Sequence, residues 1–270
     1  MSTHKTKITL TPEQETLLIP LYAKAQPRNP LFFDPRAQAI LGQVEYDFSR
    51  LSVPYKTVVL VCQRAKHLDA VTRDFLARHP GGVVLHLGCG LDSRFWRVDD
   101  GQVEWYDLDM APVVALRRRF YPASERYHLI ASSVTDLSWV DTVAAGGRPV
   151  LVVAEGLLMY LSEAEVRALI VRLSAAFPGC QLIADVFSRL TARSAANHPS
   201  LKRTGAVVGW GLDDPREVEG WAPGVRLLEE WFFTHDPDLG RLGLGYRLAY
   251  QLAGLFAVAR RAHRIVHFQL

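Results

Sequence analysis

Short apolar runs alternate with stretches of helical spacing through the middle of this chain. Each run is rich in aliphatic residues and bounded by polar or glycine positions, which is typical of a strand buried on both faces. The runs are Val83–Leu87, Val103–Asp109, Tyr127–Ala131, Val150–Glu155 and Cys180–Phe187. Strands that alternate with helices at this spacing predict an α/β fold with a parallel, doubly wound sheet and right-handed crossovers.

Helical patterns occupy most of the chain before the first strand. Thr11-Pro12 and Asp34-Pro35 each place a capping side chain before a proline, which is a start signal of a helix. From Tyr55 to about Arg78 apolar residues recur at helical spacing. We therefore expect residues 1–80 to form a helical cap that is integral to the domain, with residues 81–270 as the core that carries the sheet.

The pattern weakens after the fifth strand. Glycines are frequent between residues 188 and 221, and we expect this segment to pass over the ligand edge of the sheet as a lid. Trp210 and Trp221 fall in it, and we expect them to close an apolar pocket. Leu244 to Arg261 is predicted to be mostly helical, and Arg264 to Gln269 alternates like a strand.

The composition narrows the class of protein. The 270 residues are 49% hydrophobic with a net charge of +3, which allows a sizeable core and gives no basic surface for nucleic acid. Arg117-Arg118-Arg119 falls in a helical pattern, where we expect a solvated face. The small net charge gives no reason to expect a nucleic acid as partner. There is also no apolar stretch of about 18 residues and no signal-peptide pattern, so we expect no membrane as partner. The 3 scattered cysteines fit neither a disulfide framework nor a metal site, which favours a reducing, cytoplasmic location.

A glycine turn follows the first strand. In Gly88-Cys89-Gly90 the missing Cβ atoms allow a tight turn and the close approach of a ligand. Asp92-Ser93 supplies two capping side chains, so we expect a helix to begin there. Strand, glycine turn and helix make up the first unit of a nucleotide-binding α/β domain, whose ligand lies beyond the carboxyl ends of the strands. A tight turn without any ligand is the alternative.

Acidic residues at strand ends indicate which ligand this is. Asp109 lies about twenty residues after the glycines, where a carboxylate accepts hydrogen bonds from a ribose diol. The turn lacks the third small residue of a dinucleotide motif, and Asp92 would place negative charge near a pyrophosphate. S-adenosylmethionine has a ribose but no phosphate, and Glu155 can offset the charge of its amino or sulfonium group. These residues favour S-adenosylmethionine, with NAD as the alternative.

Separated motifs resemble the leucine carboxyl methyltransferase family, and within it the TcmP-like branch of bacterial O-methyltransferases. The motifs are HLGCGLDSRFWRV, WYDLDM, IASSVTDLSW and VVAEGLLMYLSEAEV, and the match covers most of residues 20–190. The resemblance implies a Rossmann-like class I methyltransferase sheet with an antiparallel last strand. It also implies S-adenosylmethionine as methyl donor, S-adenosylhomocysteine as product, no metal, and an oxygen acceptor that is often a carboxylate.

The family's cofactor contacts have matching positions in this chain. They are Lys24 near the cofactor, Arg64 for its carboxylate, Gly88 and Gly90 for the turn, Asp109 for the ribose, Asp136 and Leu137 for the adenine, and Glu155 for the amino group. One departure is local: relatives usually have proline where this chain has Ala111, and here Pro112 follows. On its own, Arg64 on a long helix would more often be a surface charge, and Asp136 would cap the helix that follows it.

Tyr160 and Arg193 are the candidates for orienting the acceptor. Tyr160 follows Glu155 in the same loop, whereas Arg193 lies beyond the fifth strand and would otherwise be part of a solvated helix face. A carboxylate is ionised at neutral pH, while a phenol needs a base, and no His or Asp beside the glycine turn is an obvious base. We therefore expect methylation of a carboxylate on a small or polyketide-like molecule of secondary metabolism. A phenolic O-methyltransferase and a non-catalytic binding module are the alternatives.

Overall fold

The computed structural model describes residues 6–7, 17–196 and 207–270. The helix start predicted at Thr11 lies outside these residues. The α-helices within them are α1 Leu18–Lys24, α2 Pro35–Gln43, α3 Tyr55–Arg78, α4 Arg94–Val98, α5 Ala111–Arg117, α6 Glu163–Ala176, α7 Arg189–Ala196, α8 Leu244–Leu255 and α9 Ala257–Arg261. Short 3-10 helices lie in the connections between the helices and strands, at Phe48–Leu51, Leu137–Thr142, Leu158–Tyr160, Pro215–Gly220, Phe233–His235 and Pro237–Arg241.

Over the described residues the main sheet has seven strands. They are β1 Val83–Leu87, β2 Glu104–Asp109, β3 Tyr127–Ala131, β4 Val150–Ala154, β5 Gln181–Phe187, β6 Arg226–Phe232 and β7 His263–Gln269. Their order across the sheet is β3-β2-β1-β4-β5-β7-β6, and β7 runs antiparallel to both of its neighbours. This confirms the predicted mostly parallel sheet with an antiparallel last strand. A separate two-residue pairing joins Thr6–Lys7 to Val44–Glu45.

Local sequence signals set several helix ends. The Asp34 side chain accepts hydrogen bonds from the backbone N–H groups of Arg36 and Ala37 at 3.0 and 3.1 Å, so it caps α2 as predicted. Ser162 and Glu165 form a reciprocal capping box at the start of α6. The expectation for Asp92-Ser93 was wrong in part, because Ser93 makes no capping bond. Its hydroxyl donates instead to Asp34 Oδ2 at 2.6 Å, and α4 has only 5 residues.

The core lies on both faces of the sheet. Along β4, Val150 and Val152 face one apolar cluster with α6, while Leu151 and Val153 face another, because successive side chains of a strand point to opposite faces. The second cluster also contains residues of α1, α2 and α3. The N-terminal helices thus share one core with the sheet.

Two expectations about burial were wrong. Arg117 is completely buried, whereas its neighbours Arg118 and Arg119 are exposed, so only part of the arginine run is a solvated face. Trp210 is 4% exposed and packs in the core cluster of β4 and α6, with Trp221 against it at a ring-centroid distance of 6.1 Å. Trp210 therefore belongs to the core, Trp221 is partly buried against it, and neither lines the cavity at the glycine turn.

Candidate active site at the carboxyl edge of the sheet

Strand register brings the predicted site residues to one edge. Leu87 of β1 pairs with Leu108 of β2 on one side and with Ala154 of β4 on the other. The residues that follow these positions are Gly88, Asp109 and Glu155, so the three meet beyond the carboxyl ends of neighbouring strands.

Backbone conformation explains the glycines of the turn. Gly88 and Gly90 have φ angles of 62° and 50°, in the left-handed region that side chains disfavour. A Cβ on Gly88 would also lie 3.0 Å from a methyl carbon of Leu157. The turn therefore requires glycine, because Leu157 packs against Gly88 and Leu17 against Gly90.

Asp109 is bound to the turn that precedes it in sequence. Its Oδ2 accepts a hydrogen bond from Gly90 N at 2.8 Å, and its Oδ1 accepts one from Met110 N at 2.8 Å. Burial raises the pKa of Asp109 above its ordinary value, despite these two bonds. Each carboxylate oxygen has a second lone pair, so Asp109 is suited to accept hydrogen bonds from a diol.

Glu155 lies among three cationic side chains. Lys24 Nζ is 3.8 Å from Glu155 Oε1 and 3.0 Å from Asp92 Oδ2, while Arg64 Nε donates to Glu155 Oε1 at 3.2 Å and Arg94 binds Oε2. Burial opposes ionisation of Glu155, but the attraction of these cations outweighs it and lowers the pKa to about 2. Asp92 has a pKa well below its ordinary value for the same reason. Its charge is therefore compensated, which weakens the argument against a dinucleotide that was drawn from Asp92.

Sequence reasoning missed Asp185 and Arg94. Asp185 is completely buried near the end of β5 and accepts a hydrogen bond from Arg64 Nη1 at 2.7 Å. Arg94 joins Glu155 to Asp69 of α3, donating to Asp69 Oδ1 at 2.7 Å. The signal was present for Asp185, because it is the one charged residue in the apolar run LIADVF.

Arg117 supports the glycine turn from below. Its guanidinium donates to the carbonyl oxygens of Gly90 and Asp92 at 2.9 and 2.7 Å, and it binds the carboxylate of Asp107. His86 is buried, its Nδ1 lies 3.0 Å from Asp107 Oδ1 and its Nε2 lies 3.2 Å from Arg94, so it is a core histidine with both ring nitrogens engaged.

A cavity of about 270 Å³ opens between α1, α3 and the glycine turn. Its lining includes six of the predicted site residues, namely Lys24, Arg64, Gly88, Gly90, Glu155 and Tyr160. A larger cavity of about 560 Å³ lies at the opposite edge of the sheet, beside Val150 and Gln181. We assign the site to the smaller cavity, because ligands of such sheets bind at the carboxyl ends of the strands.

Four predicted site residues lie outside this lining, namely Asp109, which is described above, Asp136, Leu137 and Arg193. Asp136 is exposed, and its side chain caps the turn Leu137–Thr142 by accepting a hydrogen bond from Ser138 N at 3.3 Å. Leu137 is half-buried beside it. Arg193 lines a separate cavity of about 430 Å³ with Glu163 and Trp210, so the structure does not bring it to the glycine turn.

The site fits S-adenosylmethionine in three respects. Gly88 and Gly90 line the cavity without side chains, Asp109 offers lone pairs to a ribose, and Arg64 with Glu155 offers opposite charges to an amino acid. Among the residues described, no group of three or more His, Cys, Asp or Glu side chains is arranged to hold a metal ion. In the same part of the chain, no helix has the length and apolarity needed to cross a membrane.

Comparison with known proteins shows to which family this chain belongs. The sequence profile of the family described as leucine carboxyl methyltransferase matches residues 19–174. The chain is 41% identical to the tetracenomycin polyketide synthesis O-methyltransferase TcmP of Streptomyces glaucescens, over 97% of this chain and 98% of that protein. It is 35% identical to the S-adenosyl-L-methionine-dependent methyltransferase dpfgK of Gibberella zeae, over 88% of each chain.

A solved structure shares the fold. A DUF574 family protein from Streptomyces avermitilis superposes with a TM-score of 0.60 at 12% sequence identity, covering 96% of this chain and 99% of that one. The strand order and the glycine turn define a class I, Rossmann-like methyltransferase. The chain belongs to the leucine carboxyl methyltransferase family, and it is an enzyme of the S-adenosylmethionine-dependent O-methyltransferase type.

Proposed function

We propose that this enzyme methylates a carboxylate oxygen of a small, hydrophobic acid and releases a methyl ester. The name of the Streptomyces glaucescens relative supports a polyketide-like acceptor. The observation that carries the proposal is the protonation chemistry of the cavity, where the described residues offer no side chain suited to remove a proton at neutral pH.

Each titratable group of the cavity lining is either engaged or holds its proton. The carboxylates of Glu155 and Asp92 are held by cations, which lower their pKa values and make them weak bases. Both ring nitrogens of His86 have partners. Burial raises the pKa values of Cys89 and Tyr160, so both stay protonated. An acceptor that is already ionised suits such a site, whereas a phenol would need a base.

The geometry of the site supports the following proposed roles in cofactor binding. Asp109 receives the ribose, Arg64 receives the carboxylate of the amino acid end, and Glu155 with Lys24 lies beside its amino group. When bound, S-adenosylmethionine supplies an activated methyl group on a charged leaving group. The protein therefore has to align the two reactants and exclude water. Asp136 and Leu137, just beyond β3, remain the proposed contacts of the adenine.

Tyr160 is proposed to orient the acceptor. Its side chain is 43% exposed at the cavity, and because its pKa is raised the phenolic O–H is available as a donor to a carboxylate. Arg193 lines a separate cavity, which favours Tyr160 for the orienting role. Tyr160→Phe should therefore lower kcat and leave the affinity for S-adenosylhomocysteine unchanged.

Product chemistry tests the acceptor class. The enzyme is supplied with aromatic and polyketide acids, each paired with the same molecule in which the carboxyl group is blocked and the phenols are free. We expect turnover only with free acids, a product cleaved by mild alkali, and no rise in rate with acceptor ionisation between about pH 6 and 9. An alkali-stable methyl ether from the preferred acceptor would move the function to phenolic O-methylation. Binding of S-adenosylhomocysteine without any turnover of the free acids would overturn the proposed acceptor class.

A further inference from the structure

Asp185 joins three separate elements behind the cofactor cavity. Its Oδ2 accepts hydrogen bonds from Arg64 Nη1 and from His263 Nε2, each at 2.7 Å, and its Oδ1 accepts one from Gly156 N at 2.6 Å. Arg64 belongs to α3, Gly156 follows β4, and His263 begins β7. One completely buried carboxylate therefore fixes a helix, a loop and a strand relative to each other.

The guanidinium of Arg64 is held along two of its edges. Nε donates to Glu155 at 3.2 Å, and Nη1 donates to Asp185 at 2.7 Å. A planar guanidinium bound at two nitrogens has a defined orientation, which a flexible ammonium would lack. Gly156 has a φ of 64°, and a Cβ there would lie 3.2 Å from both terminal nitrogens of Arg64. The loop after β4 therefore leaves room for this orientation.

His263 completes the environment of the carboxylate. Its ring lies between those of Phe187 and Phe233, at centroid distances of 4.8 and 4.7 Å, which fixes the side of the ring that faces Asp185. Burial lowers the pKa of His263 below its ordinary value, so the neutral ring donates through Nε2–H. The pKa of Asp185 is also lowered, but for a different reason. Burial alone would raise this pKa, and the charge of Arg64 together with the hydrogen bond from His263 outweighs the effect of burial.

We propose that Asp185 is the positioning residue of Arg64, and that it fixes the guanidinium in the orientation that receives the carboxylate of the cofactor. Asp185 lies outside the described lining of the cavity, so it acts through Arg64. The proposal rests on the role proposed above for Arg64. Burying two charges is costly, and an apolar pair of similar volume would fill the space with less desolvation. The charged pair supplies what apolar packing lacks, a fixed direction for the donors of Arg64.

Two ligands separate positioning from general destabilisation. S-adenosylhomocysteine carries the amino acid end, whereas 5′-methylthioadenosine has the same adenine and ribose without it. In calorimetry, Asp185→Asn should weaken S-adenosylhomocysteine at least tenfold and change 5′-methylthioadenosine by less than twofold. Arg64→Lys should show the same selectivity, because a lysine keeps the charge without the fork. Equal losses for both ligands, or no loss for either, would overturn the proposal.

Asp107→Asn is the matched control. Asp107 is as buried as Asp185 and is also paired with an arginine, but that arginine supports the glycine turn. We expect this variant to weaken both ligands by a similar factor, so its affinity ratio stays that of the unmodified enzyme. A selective loss in this control would also contradict the reasoning.

A second variant covers the case in which Asp185→Asn does not fold. His263→Gln retains a donor near Asp185 but loses the aromatic packing that aims it. A two- to fivefold loss for S-adenosylhomocysteine alone supports the proposal, and an unchanged ratio of the two affinities overturns it. If Arg64→Lys leaves both ligands unaffected, the role proposed for Arg64 fails. If that variant is selective while Asp185→Asn is not, only the role of Asp185 fails.

Discussion

Replacement of Arg117 by methionine should be strongly destabilising, although the residue lies in a run of three arginines. Arg117 is completely buried and binds Asp107, Tyr127 and the carbonyl oxygens of Gly90 and Asp92. Methionine fills much of the space but leaves the Asp107 carboxylate buried without its cation. Breaking a buried pair on one side costs about 3–5 kcal/mol.

A destabilisation of this size can be measured by thermal unfolding. For a domain of roughly this size each kcal/mol lowers the melting temperature by about 2–4 °C, so Arg117→Met should melt roughly 6–20 °C lower. Arg118→Met, at the exposed neighbour, should change the free energy of unfolding by less than about 0.5 kcal/mol. Adding Asp107→Asn to Arg117→Met should recover part of the loss, because no buried charge is then unpaired. Equal melting temperatures for the Arg117 and Arg118 variants would refute the buried-pair argument.

Two further predictions concern the ribose and a buried histidine. Asp109→Ala should weaken S-adenosylhomocysteine at least tenfold in calorimetry, since a lost bond to a charged group costs about 1.5–3 kcal/mol; unchanged affinity would rule out the ribose assignment. Burial lowers the pKa of His267 from 6.5 to about 4, so the unfolded chain binds a proton in that window while the folded chain does not. Urea unfolding should therefore show stability falling as pH drops from about 6.5 toward 4, by up to roughly 3 kcal/mol. His267→Gln should reduce this slope, of which the lowered pKa of His263 retains a part, whereas His235→Gln, at an exposed histidine, should leave it unchanged.

The parts of the fold that follow from local patterns were predicted well. Helix α3 spans Tyr55–Arg78 as expected, because its apolar spacing and its flanking residues are contained in one stretch. The five parallel strands were found within about one or two residues, which is the usual uncertainty of element ends. The site edge followed too, because parallel strands that end in acids must bring those acids together.

The parts that depend on distant partners were missed. Asp185 is 121 residues from Arg64, and an arginine in a polar run gives no sign that a strand aspartate lies beneath it. Arg117 looked like its neighbours, and what makes it the interior member of the run is its position on α5, from which it reaches Asp107 and the glycine turn. Trp210 was expected to close the ligand pocket, but it packs in the core and lines the cavity of Arg193, not the cavity at the glycine turn.

The buried charges around the cavity form one connected set, and this connection matters for how the site works. Glu155 is shared by Arg64 and Arg94, Arg94 is shared with Asp69, and Arg64 is shared with Asp185. Each charged side chain is therefore held in its orientation by at least one protein partner. The site then need not reorganise when a ligand with separate positive and negative ends binds. The same connection makes single substitutions severe, because removing one member leaves its partners buried and unpaired. The selective ligand response expected of Asp185→Asn and the melting response expected of Arg117→Met both come from breaking a buried charge pair. They differ because Arg64 is proposed to receive the amino acid end of the cofactor, whereas Arg117 binds the backbone of the glycine turn.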